Sequence, residues 1–170
     1  MKSHIIVFLS ALLCLSFCGC SFSSDKSKEE ANQAEIEEIK LVYFEDTLDE
    51  IYKSSKIFGI KKATDEDMEE IFGFDLDDIL DYSVRFSEKG YGVADIFIIR
   101  PTAKGEEKVF DCLRQIKENK IAEAENYDIY GSLELAKNAE IYSRGDYIIM
   151  LMIADEANIK SQINSLIDRS

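Results

Sequence analysis

The 170-residue chain has no tryptophan, a single proline and a single histidine, and three of its four cysteines fall in the first twenty positions. The histidine is His4. If the first nineteen residues are a leader that is removed, the remaining chain has no imidazole. That excludes Ser-His-Asp and Cys-His nucleophilic sets, a zinc-binding HExxH helix and an imidazole proton shuttle. Catalysis would then have to rest on carboxylates, lysines, tyrosines or serines. A disulfide framework is excluded as well, because Cys112 is the one cysteine beyond Cys20. Cys112 shares helical spacing with Val109, Leu113 and Ile116, which reads as a small buried apolar side chain. No P-loop occurs, and Gly90-Tyr91-Gly92 reads as a turn between strands instead of a phosphate cradle. Nothing in the chain calls for a cofactor.

What is present begins at the amino terminus. Met1-Lys2-Ser3-His4 is a short basic start, Ile5 to Phe17 is an almost wholly apolar run, and Phe17-Cys18-Gly19-Cys20 closes it with a small residue before a cysteine. This pattern predicts a bacterial lipoprotein signal peptide over 1–19, cut after Gly19 so that the Cys20 thiol carries a diacylglycerol, with palmitate as a typical acyl chain. Leu13 and Phe17 precede Cys14 and Cys18, so neither offers the small residue that processing requires. As a helix the apolar run would rise about 20 Å, short of the roughly 30 Å hydrocarbon core that a permanent span must cross. The competing reading is simple secretion. The expected address is the outer face of the bacterial cytoplasmic membrane, with the bilayer engaged through lipid on Cys20.

Charge narrows the partners. The chain has 34 acids and 20 bases; with Lys2 gone alongside the leader, 15 negative charges are in excess. Lys61-Lys62 is the only adjacent basic pair, so nucleic acid is not an expected partner. An anionic membrane surface would repel the domain too, which suits attachment by lipid. The acidic stretch Asp75 to Asp81 places Ile79 and Leu80 where a calcium loop needs an oxygen ligand and a glycine, so no metal site is assigned. Its Leu76, Ile79 and Leu80 predict a short amphipathic helix instead.

Positions 20–34 read as a lipidated cysteine followed by a polar tether, and 35–170 as a single α+β domain, long enough for one core. Ile36, Ile39 and Tyr43 suggest a first helical segment that runs on or breaks before the next. Thr47 to Phe58 is clearer, with Leu48, Ile51, Tyr52 and Ser55 on one stripe and Gly59 as a stop. Thr64 is a candidate N-cap for a short helix ending near Gly73. Tyr82, Val84 and Phe86 then alternate with Ser83, Arg85 and Ser87, a half-buried strand; Glu88 to Gly92 turns; and Val93 to Arg100 is a second strand stopped by Pro101. A long helix follows over 104–125, with Val109, Phe110, Leu113, Ile116 and Ile121 inward, then a loop and a helical turn over 127–138. Glu140 to Ser143 and Tyr147 to Ile153 form another strand pair around Arg144-Gly145-Asp146, and Asp155 caps a closing helix with Ile159, Ile163, Leu166 and Ile167 inward. The second and fourth strands are apolar without alternation and so are expected to be central and covered on both faces. The expected fold is a four-stranded antiparallel sheet from two strand-turn-strand-helix units, with the helices that follow the hairpins on one face and N-terminal helices on the other.

The segment from Asp75 to Leu166, with Ala103-Lys104-Gly105-Glu106-Glu107 opening the long helix and Ile141-Tyr142-Ser143-Arg144-Gly145-Asp146-Tyr147 around the second turn, resembles a family of uncharacterised clostridial-type lipoproteins catalogued as a domain of unknown function. The resemblance implies a lipid-anchored domain outside the cytoplasmic membrane of Gram-positive bacteria and carries over no catalytic residues. Three functional classes remain. The foremost is a non-enzymatic module that binds a protein or another envelope component. The others are a small-molecule or ion-binding accessory protein of a transporter, for which one small domain offers no two-lobed cleft, and an enzyme built on carboxylates or on Tyr91, Tyr127, Tyr130, Tyr142 and Tyr147. The candidate interaction surface is the pair of turns bearing Glu88, Tyr91, Arg144 and Asp146, expected at one end of the sheet.

Overall fold

The structure, a computed structural model, describes residues 44–169. The leader, Gly19, Cys20, the tether, Ile36, Ile39 and Tyr43 lie outside the described residues. Helix α1 is described over 44–55, and Leu48, Ile51 and Tyr52 are buried as its stripe requires. It stops three residues before the expected Phe58: Lys56 turns to a positive φ, Ser55 faces solvent, and Phe58 is 75% exposed. Strand β1 (Ile60–Lys62) follows; it is three residues long, too short to show a period, so the sheet has five strands and not four.

Thr64 caps the next turn as expected. Its hydroxyl accepts the Asp67 N–H at 3.2 Å, while the Asp67 carboxylate accepts the Thr64 N–H at 2.9 Å, a reciprocal cap of a wide helical turn over Asp67–Ile71. The acidic stretch forms one 3-10 turn, Leu76–Asp78, and not an amphipathic helix. Ile79 is already extended, and Leu80 points to solvent at 60% exposure because the strand period replaces the helical one.

Strand β2 (Ile79–Ser87) pairs with β3 (Asp95–Pro101), helix α2 covers Glu106–Asn126, α3 covers Ser132–Asn138, and β4 (Glu140–Arg144) pairs with β5 (Tyr147–Met152) before α4 (Glu156–Ile167). The sheet is antiparallel throughout, in the order β1-β2-β3-β5-β4, so β3 and β5 are neighbours near its middle. Their unbroken apolar runs follow from burial on both faces. Phe97, Ile99, Ile148, Met150 and Met152 pack with Val109, Leu113 and Ile116 of α2, Ala136 of α3, and Met68, Phe72 and Phe74. Ile96, Ile98, Tyr147, Ile149 and Leu151 pack instead with Phe44, Leu48, Ile51 and Tyr52 of α1 and with Ile159, Ile163 and Ile167 of α4. The two post-hairpin helices therefore lie on opposite faces, contrary to the expectation that they share one. Two double-sided central strands need apolar cover on both sides, and α1 alone does not span one.

Strand β2 departs from expectation in a second way, because Ser83, Arg85 and Ser87 are buried as fully as the apolar residues alternating with them. Helix α1 lays acids over Ser83 and Arg85. Arg85 Nη2 stands 2.7 Å from Glu45 Oε2 and 2.7 Å from Asp49 Oδ1, Lys62 Nζ reaches the same Glu45 oxygen at 2.8 Å, and the Ser83 hydroxyl donates to Glu45. Burial pushes the Glu45 pKa up, but these donors outweigh it and hold the carboxyl below its ordinary value.

Candidate functional site

Past β2 the chain must reverse, and Glu88 to Ala94 does so through two positive-φ glycines, Gly90 and Gly92. Gly92 is required for a second reason: a Cβ there would meet Ser132 Oγ at 3.0 Å and the Ile129 carbonyl at 3.1 Å. The hairpin loop thus lies directly against the loop joining α2 to α3, and the Tyr130 ring comes beside it. On the other side the Tyr91 ring rests over Gly59, where a Cβ would fall 2.2 Å from the ring. Between this loop, the last turns of α2 and the Asp67–Ile71 turn opens a cleft of about 550 Å³, walled by Phe72, Phe86, Val93, Ile116, Tyr127 and Ile129. A second depression of about 380 Å³, which Tyr91 lines, adjoins it and shares Ile71, Phe86, Glu88 and Lys89.

Four of the large apolar side chains exposed among the described residues lie in or beside these two depressions. Ile71 is 61% exposed, Tyr91 53%, Tyr127 75% and Tyr130 87%. Apolar surface gathered around a concavity is characteristic of a binding site, whereas scattered exposed residues carry no such meaning.

The floor is polar. Asp95 at the start of β3 is fully buried; its Oδ1 accepts the Ser87 N–H at 2.8 Å and its Oδ2 stands 3.1 Å from Lys120 Nζ on α2. The Ser87 hydroxyl accepts the Ala94 N–H at 2.8 Å, and Tyr52 donates its hydroxyl to the Ala94 carbonyl at 2.7 Å. Burial first, and then the charge of Asp95, push the Tyr52 phenol well above its usual range, so it stays a donor. Lys120 lines the cleft with its side chain 19% exposed. An ammonium has three donors. Asp95 Oδ2 meets the ammonium as an ion pair without hydrogen-bond geometry, and no other partner for Lys120 occurs among the described residues. Asn119, Glu123 and Ser132 add an amide, a carboxylate and a hydroxyl.

Of the four surface residues expected from sequence, Glu88 and Tyr91 are at this cleft, with Glu88 Oε1 2.8 Å from Lys61 Nζ. Arg144 and Asp146 are not. Asp95 pairs with Met152 and Ile99 with Ile148, so the β4–β5 turn lies at the opposite end of the sheet. There Arg144 forks onto Asp168 at 2.8 and 2.5 Å, beside a depression of about 330 Å³ lined by Leu80, Arg100, Pro101 and Asp146. Antiparallel pairing of the two hairpins through β3 and β5 separates their turns.

Cys112 is half-buried; its thiol donates to the Phe72 carbonyl at 3.1 Å, and burial raises its pKa to about 11. Among the described residues no three His, Cys, Asp or Glu side chains are grouped to hold a metal. No helix in the same span is long and apolar enough to cross a membrane.

Sequence reasoning did not single out Asp95 and Lys120, although each breaks a pattern. Lys120 extends the inward stripe Val109, Leu113, Ile116 by one turn, and Asp95 opens a strand whose next four residues, Ile96 to Ile99, are buried and apolar.

Fold and cleft together define an α+β domain, an antiparallel sheet between helical layers with a tyrosine-rimmed cleft at one end. The chain belongs to the family described as domain of unknown function DUF4358, which matches residues 52–153 and so takes in the whole sheet, α2, α3 and the cleft. No curated protein matches the chain, and no solved structure does.

Proposed function

We propose that this protein is a lipid-anchored, extracytoplasmic binding module of the bacterial envelope, without catalytic activity, that takes its partner in the cleft between the β2–β3 loop and the end of α2. The observation that carries the binding role is the exposed Ile71 and Tyr127 in the lining of that concavity, with exposed Tyr91 in the adjoining depression and Tyr130 beside Gly92 of the same loop, apolar surface that water alone does not justify. The address rests on the sequence from Met1 to Cys20: a basic start, a short apolar run and a small residue before the cysteine. The acidity of the chain supports the same reading, since a domain that an anionic surface repels stays presented to other partners while lipid holds it nearby.

The test is photo-crosslinking in intact cells, with a photoreactive amino acid placed at Tyr127 and, as control, at Leu80 on the opposite end. The proposal expects a discrete adduct from position 127 that Cys20→Ala diminishes, and none from position 80. Equal labelling from both positions, or a pattern indifferent to Cys20, would contradict it.

A further inference from the structure

The cleft also has features that select a chemical class of ligand. Its walls are aromatic and aliphatic, its floor offers an ammonium with donors to spare, and Asn119, Glu123 and Ser132 supply an amide, a carboxylate and a hydroxyl within the same opening. Lys120 is neutralised by Asp95, and Glu88 by Lys61. Over both depressions the remaining ionised groups of the lining are Lys89, Glu123 and Asp67, one positive and two negative. The site is therefore close to neutral within a strongly acidic molecule, and the surrounding charge repels polyanions. An extended peptide is poorly served, because the main opening is bounded by a hairpin loop and a helix, and the edge strand beside the second depression, β1 with its Lys61, is three residues long.

We infer that the cleft binds a neutral glycan chain, adjacent sugar rings lying in the 550 Å³ and 380 Å³ depressions with their C–H faces on the Tyr127 and Tyr91 rings and their hydroxyl or amide groups on Lys120, Asn119 and Glu123. Two adjoining depressions with a common wall, each with one exposed tyrosine, match a repeating ligand better than a compact one. A tyrosine ring supplies an apolar face at low entropic cost and a polar tip that remains wet. Lys120 needs only an oxygen acceptor, since its charge is already met, and a hydroxyl or amide carbonyl supplies one. This inference rests on the binding-module reading and names the ligand class for the same cleft.

The experiment uses the detergent-extracted full chain and β-1,4-linked N-acetylglucosamine tetrasaccharide as the probe, followed by titration calorimetry. Tyr127→Ala and Asn119→Ala, both at exposed positions, keep the fold testable by circular dichroism. Saturable binding that each variant weakens at least tenfold is expected. No heat with a folded wild-type chain at millimolar sugar overturns the glycan assignment, as does binding that neither variant alters. A neutral peptide of similar length runs in parallel, and preference for it over the sugar overturns the assignment too. Failure of the wider reading looks different: the position-127 crosslink would be absent from cells, whereas loss of the glycan assignment alone leaves that adduct in place and identifies it as protein.

Discussion

Asp95 and Lys120 have the largest single-residue consequences. A buried carboxylate is costly without a counter-charge, so Lys120→Met, which leaves Asp95 with the Ser87 N–H but no cation, is expected to cost about 3 kcal/mol in urea unfolding. Asp95→Asn added to Lys120→Met should recover part of that loss, and simple additivity of the two would show that the pair is not coupled. Glu45 gives a pH dependence of definite sign. Its folded pKa lies below the unfolded value, so its contribution is complete above pH ~4.5 and disappears as pH falls through the lower folded pKa. Tm should thus drop on acidification below that point, and less so in Glu45→Gln. With its pKa raised to about 11, the Cys112 thiol should react with iodoacetamide at pH 7.5 about 100-fold more slowly than an exposed cysteine, and speed up towards pH 11.

Among the elements, legibility followed length and period. The 21-residue α2 announces itself through Val109, Leu113 and Ile116, and β3 and β5 through unbroken apolar runs, because each buries enough side chains to leave a pattern. Three-residue β1 leaves none, and Leu76 to Leu80 satisfies a helical stripe locally while the Tyr82–Ile99 and Asp81–Arg100 pairings draw its second half into the sheet. The burial of the polar face of β2 is not legible in the strand itself, because its cover comes from Glu45 and Asp49, some 40 positions earlier in the chain, and a single strand does not reveal a distant partner. The same remoteness hid half of the cleft: Tyr91 and Glu88 are legible as turn residues, but the meeting of Glu88 with Lys120 and Tyr127, and the place of Tyr91 in the adjoining depression, depend on how α2 crosses the sheet. Two element-level consequences follow. Thr64→Ala should destabilise by about 1 kcal/mol in thermal unfolding through loss of the cap. Gly59→Ala, strained at its positive φ and in collision with the Tyr91 ring, should displace that ring and weaken cleft binding while Leu113→Ala, costing about 2–5 kcal/mol, weakens the fold instead.

At the scale of the described domain, the sheet with helices on both faces leaves the β2–β3 end open as the larger cleft, while at the other end the Arg144–Asp168 fork ties the β4–β5 turn to the end of α4 beside a smaller depression. A rigid scaffold that presents a cleft formed by loops is how small domains recognise partners without moving parts. The reading as an envelope binding module joins this cleft to an anchor at Cys20, and the anchor is the part on which the address depends entirely. A single acyl chain holds a protein only marginally, whereas the two or three chains of a processed lipoprotein, at about 0.8 kcal/mol per buried methylene, hold it firmly. The decisive measurement is the intact mass of the membrane-extracted protein beside a Cys20→Ala control. The account predicts residues 20–170 carrying a diacylglycerol group, with that mass lost and the protein released in the control. A membrane-extracted chain with an unmodified Cys20, or one whose attachment survives Cys20→Ala, would contradict it.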